Sequence, residues 1–182
     1  MKDSAEREAF LVLRAQSGDR EALDALLASA QEPLYRYVLS LVRERHLAEE
    51  ALQETFVRVY RKLGWLREPE LFRPWAYRIA TREAFRQLKR ERRWAEQVRD
   101  DETINAFASP PPREEFAQEL SGRLRESVAT LSPASRAVVV LYYLHELSLE
   151  ETAAVLDVPL GTVKSRLAYG LAALRRQLKK DE

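Results

Sequence analysis

Apolar residues recur at three- and four-residue intervals along most of this 182-residue chain, and one long interruption carries three consecutive prolines. That spacing lines apolar side chains along one face of an α-helix. The alternation that marks a half-buried strand is nearly absent, and there are five glycines in all. The expected class is therefore all-α. Pro110-Pro111-Pro112 favours extended backbone and stops helix propagation. It divides the chain into two small helical domains, residues 1–94 and 114–182, joined by a flexible linker over residues 95–113. Structureless loops of that length are uncommon inside one compact domain.

Local signals place the helices. The first runs from Ser4 to Gln16 with Phe10 and Leu13 on its apolar face, and Gly18-Asp19 ends it. Asp19 caps a second helix carrying Leu23, Leu26 and Leu27, and Pro33 opens a third with Leu34, Tyr37, Val38 and Leu41. A fourth, Ala48 to Leu63, has Leu52, Phe56, Val59, Tyr60 and Leu63 as its stripe. After a break from Gly64 to Pro69, a fifth runs from Phe72 or Pro74 to Arg93. In the second half, Phe116, Leu120, Leu124, Val128 and Leu131 mark one helix face. Ser132-Pro133 sets a cap before a proline at the first helical position, and Ala137 to Leu144 is apolar all round, as a buried helix is. Ser148-Leu149-Glu150-Glu151 reads as a capping box.

Composition removes several function classes. With no cysteine, disulfide scaffolds, Cys-based zinc sites and thiol catalysis are out. His46 and His145 form no ligand pair, so no metal or other cofactor is expected. The first residues lack the basic flank and apolar run of a signal peptide, and Ala137 to Leu144 is too short to span a bilayer, so a cytoplasmic protein without membrane insertion is expected. No nucleophile–base pairing or phosphate-binding glycine loop points to an enzyme. Net charge is +1, but it is uneven: −3 over residues 1–50, +6 over 51–100, −4 over 101–150 and +2 over 151–182. Two basic zones suit polyanion contacts at two places.

The second basic zone follows a helix-turn-helix pattern. A short helix, Ser148 to Leu156, reaches a turn at Asp157-Val158, and a new helix starts at Pro159 or Leu160. Ala153 is small where two helices cross, Asp157 tolerates a left-handed backbone better than most residues, and Val163 is the buried anchor of the second helix. Leu167, Gly170 or Leu171, Leu174 and Leu178 continue the apolar stripe, leaving Thr162, Ser165, Arg166 and Tyr169 on the opposite face to read duplex DNA. Lys164, Arg175, Arg176, Lys179 and Lys180 supply phosphate contacts. The first basic zone is the fifth helix. Arg78, Arg82, Arg86 and Arg90 form a ridge at four-residue spacing, extended by Lys89, with Trp65, Phe72, Trp75 and Tyr77 near its start. Basic charge beside flat rings suits single-stranded nucleic acid. Core packing is the preferred reading for Tyr77 and Phe85, and both readings stay open for Trp75.

Taken together, these segments resemble the extracytoplasmic-function (ECF) class of bacterial RNA polymerase sigma factors over about residues 8–93 and 116–178. Leu47 to Arg58 resembles that family's polymerase-binding helix, Phe72 to Ala80 its promoter-melting segment, and Val158 to Leu167 the helix that reads the minus-thirty-five element. Some positions depart from the pattern: Ala168-Tyr169-Gly170-Leu171 stands where His-Arg-Ala-Arg-like residues are common, and Glu146 and Asp157 stand where Gly is common. The resemblance implies a non-catalytic initiation factor. Glu50, Gln53, Glu54 and Arg58 would face the clamp helices of the polymerase beta-prime subunit, and the C-terminal domain the beta flap. Phe72, Trp75, Arg78, Arg82, Arg86 and Lys89 would meet the melted minus-ten strand, with the loop from Arg67 to Leu71 holding an extruded base. Thr162, Lys164, Ser165, Arg166 and Tyr169 would meet the upstream duplex. An anti-sigma factor is a further expected partner. Two alternatives are a sigma-like decoy that sequesters an anti-sigma factor and a stand-alone helix-turn-helix regulator.

Overall fold

The computed structural model describes residues 2–99 and 127–178, and every described regular element is helical. Helix α1 (Lys2–Gln16) ends in a turn, and Asp19 caps α2 (Arg20–Val42) by accepting from Ala22 N at 3.0 Å. Helix α3 (Arg45–Lys62) is followed by two single 3₁₀ turns, Leu63–Trp65 and Pro69–Leu71, and then by α4 (Phe72–Arg99). The second half contains α5 (Pro133–Tyr143), α6 (Leu149–Leu156) and α7 (Leu160–Leu178). The expected linker residues Pro110, Pro111 and Pro112, the apolar residues Phe116, Leu120 and Leu124, and Lys179 and Lys180 lie outside the described residues.

Four expectations about elements change. Pro33 does not open a helix but sits inside α2. Leu26, Ala30, Leu34, Tyr37, Val38 and Leu41 form one uninterrupted buried stripe across it, and that packing outweighs the missing N–H. On α1, Phe10 and Leu13 face out, 58% and 52% exposed, while Ala9 and Val12 are buried. Helix α1 lies against α2. On α3, Tyr60 is 66% exposed, and the buried stripe runs through Leu47, Ala48, Ala51, Leu52, Thr55 and Val59. Helix α4 also continues through Arg99, beyond the expected end at Arg93.

The two halves share a core. Ala137, Val140, Leu141, Leu147 and Val155 of the second half belong to the same buried cluster as Leu34, Tyr37, Phe72 and Tyr77 of the first. Helix α5 lies against α2, and α6 lies against α4. A polar staple joins them. Buried Arg136 donates to the carbonyls of Ser40 (3.0 Å) and Leu41 (3.3 Å), and to those of Ala129 (2.7 Å) and Leu131 (2.8 Å). The α2 carbonyls belong to its last turn, where no intrahelical donor remains. One guanidinium thus closes the end of α2 and ties it to the second half. Burial, with Arg43 nearby, pulls Arg136 down to about 10, still charged at neutral pH.

Candidate nucleic-acid interface

The turn between α6 and α7 forms as the residue types dictate. Ser148 accepts from Glu151 N (3.0 Å) while the Glu151 carboxylate accepts from Ser148 N (2.7 Å), completing the capping box. Asp157 ends α6 in the left-handed region, φ 57° and ψ 46°, and Val158 N donates to Ala153 O. Val163 is fully buried and anchors α7. Lys164, Ser165 and Tyr169 are exposed, and Thr162 and Arg166 are half-buried beside them. The five residues expected to read duplex DNA therefore lie on the outward side of α7. A second small cluster, Leu131, Val139 and Leu174, seats that helix on α5.

Gly170 explains one departure from the family pattern. A Cβ built there would lie 2.9 Å from Val139 Cγ2. The residue that weakens the helix by its propensity is the one that lets α7 approach α5.

On α4 the arginine ridge is real, but its members differ in their surroundings. Arg78 is half-buried, while Arg82, Arg86, Lys89 and Arg90 are exposed. Arg86 is paired with Glu83, a buried carboxylate that also sits 2.6 Å from Arg58 Nε of α3. Arg58, half-buried, thereby also ties α3 to α4. The expectation that Phe72 meets a DNA strand is corrected. At 1% exposure it is core, beneath a half-buried Trp75 at 6.1 Å between ring centroids. Tyr77 is buried as preferred, and burial pushes its hydroxyl up to about 12.

Sequence reasoning missed several exposed groups. Glu50, Gln53 and Glu54 do face solvent, and Val57 and Tyr60 extend the same side of α3 with exposed apolar surface. Helical spacing alone could not separate Tyr60 from the core stripe. Trp65 is 77% exposed, and Gln16 Nε2 brackets its turn by donating to both Leu63 O and Leu66 O at 2.8 Å.

The ridge also meets the second half of the chain. Arg78 Nη2 donates to Asp157 Oδ1 (3.0 Å) and Arg82 Nη2 to Asp157 Oδ2 (3.2 Å). One turn earlier, Arg73 donates to His145 O (2.9 Å), and Tyr77 shares a 2.7 Å hydrogen bond with His145 Nδ1. Burial lowers His145 to about 4, with the positive charges of Arg73 and Arg36 adding to it, so the ring is neutral near pH 7. Below these, Thr81 donates to Tyr77 O and so accepts from the Tyr37 hydroxyl, each at 2.7 Å.

The Sigma-70 region 2 family matches residues 26–94, and the Sigma-70 region 4 family matches residues 128–176. The RNA polymerase sigma-H factor of Pseudomonas aeruginosa is 30% identical over 183 residues, covering 95% of this chain and 94% of the relative. The ECF RNA polymerase sigma-E factor of Salmonella typhimurium is 31% identical over 166 residues, covering 86% of each. Among solved structures, CnrH in complex with the cytosolic domain of CnrY is similar at a TM-score of 0.70 and 25% identity, over 97% of this chain and 99% of that one. No described helix is long and apolar enough to cross a membrane. Two sigma regions in this order, on relatives of this identity and coverage, mean that the chain belongs to the ECF family of RNA polymerase sigma factors.

Proposed function

We propose that this sigma factor binds the RNA polymerase core and directs it to promoters by reading two DNA elements, with no catalysis of its own. The outward face of α3, with Glu50, Gln53, Glu54, Val57 and Tyr60, docks on the core through the beta-prime clamp helices, while the second half meets the beta flap. Arg78, Arg82, Arg86 and Lys89 of α4, with Trp75, grip the melted strand of the downstream element. Thr162, Lys164, Ser165, Arg166 and Tyr169 of α7 meet the upstream duplex.

The observation that carries this reading is the outward face of α7. A helix-turn-helix with a buried Val163 anchor leaves hydroxyls, a lysine, an arginine and a tyrosine pointing away from the core. Such a face suits the major groove. The solved relative CnrH is in complex with the cytosolic domain of CnrY, which supports a protein partner of comparable kind here, in keeping with the expected anti-sigma factor. Reconstitution with core polymerase tests the reading. A specific run-off transcript from a promoter found by mapping immunoprecipitated chromatin is expected. A chain that does not associate with polymerase and gives no specific transcript would instead favour a decoy, and duplex binding without any polymerase association a stand-alone regulator.

A further inference from the structure

Arg78 and Arg82 already hold an anion. Each oxygen of the Asp157 carboxylate takes one guanidinium N–H, at 3.0 and 3.2 Å. A carboxylate bridging two arginines offers them what a DNA phosphate would, two charged oxygens at hydrogen-bond distance. The acid is supplied from the other half of the chain, by the turn between α6 and α7, and α6 lies along α4. Asp157 occupies a left-handed conformation that Asp tolerates better than most residues and glycine better still, so the turn accepts an acid there without requiring one.

We propose that this packing is self-inhibiting: the turn of the helix-turn-helix occupies the single-strand ridge of α4, with Asp157 standing in for phosphate on Arg78 and Arg82. The proposal rests on the reading of that ridge as a single-strand binder. The block is selective. Lys164, Ser165 and Tyr169 remain exposed on α7, so the duplex reader is open while half of the single-strand reader is engaged. It is also built to yield. Asp157 is 67% exposed and its ion pairs are screened by water and salt, so they bias the closed form without locking it. The buried Tyr77–His145 hydrogen bond and the shared apolar core supply the rest of the closure.

The chain has no cysteine, so a dye pair can be placed cleanly through Glu21→Cys on α2 and Ala172→Cys on α7. Transfer efficiency in the full chain reads closure, and anisotropy of labelled oligothymidine reads single-strand binding. Asp157→Asn removes the charge, and Asp157→Gly also relaxes the turn, so both variants keep the helix-turn-helix. Each is expected to lower transfer efficiency and to tighten oligothymidine binding by about three- to tenfold at low salt, with the gain shrinking as salt rises. Affinity for a duplex of similar charge is expected to change less. Unchanged transfer efficiency and unchanged oligothymidine affinity in both variants would overturn the proposal. So would an equal gain for duplex, which a general loss of negative charge explains. Opening without oligothymidine binding by any variant would instead overturn the assignment of the ridge as a single-strand binder.

Discussion

A hydrogen atom in place of a methyl group decides how closely α7 lies on α5. At Gly170 the nearest obstacle to a Cβ is a γ-methyl of Val139, a β-branched side chain with little rotamer freedom. Gly170→Ala is therefore expected to lower stability by about 1 kcal/mol, because the clash exceeds the helix-propensity gain of similar size. In a Val139→Ala background the clash disappears and the same change is expected to stabilise. A double-mutant cycle by urea denaturation checks the reversal of sign. No sequence signal distinguishes this glycine from a merely weak helix position, since its reason lies 31 residues away at Val139. Asp157 differs. Its turn was legible from residue type, but the two arginines it meets were not.

Among the elements, caps were the most legible features. Asp19, Ser132 and Ser148 each accept the backbone N–H three residues on, because a short polar side chain at a helix start has few other roles. Helix α2 shows the limit. Pro33 is a strong local breaker, yet the stripe from Leu26 to Leu41 holds one register across it. Pro33→Ala is expected to stabilise the protein by about 1 kcal/mol, the restored hydrogen bond outweighing a more flexible unfolded chain. Thermal unfolding monitored by circular dichroism checks it. Which side of α1 and α3 is buried was also beyond periodicity. Phe10, Leu13 and Tyr60 satisfy a helical spacing as well as Val12 and Val59 do, and only the neighbouring helices choose between them.

At the scale of the whole molecule, the union of the two halves carries the main consequences. Nothing in the sequence announced it, because Arg136 reaches carbonyls of Ser40 and Leu41 that any residue would supply. His145 sits in the seam as a neutral ring, lowered by burial to about 4 from the 6.5 of an unfolded histidine. Between those values the unfolded chain takes up a proton that the folded chain refuses, so this contribution is complete above about pH 6.5 and is lost as pH falls towards 4. A loss of about 2 kcal/mol is expected at pH 5 relative to pH 7.5. His145→Gln, which keeps a partner for Tyr77 without a titrating ring, is expected to flatten that dependence in urea midpoints.

The shared core also fixes how loss and gain of function are distributed. If a partner accepts only the separated halves, its apparent dissociation constant is the intrinsic one divided by the separated fraction. A closed form favoured about a hundredfold would weaken every such partner about a hundredfold. Truncating Val140 or Leu141 at the seam then lowers stability and raises the separated population together. Mutations of that kind, found far from any surface that touches polymerase or DNA, should surface in a genetic screen as hyperactive alleles rather than inactive ones.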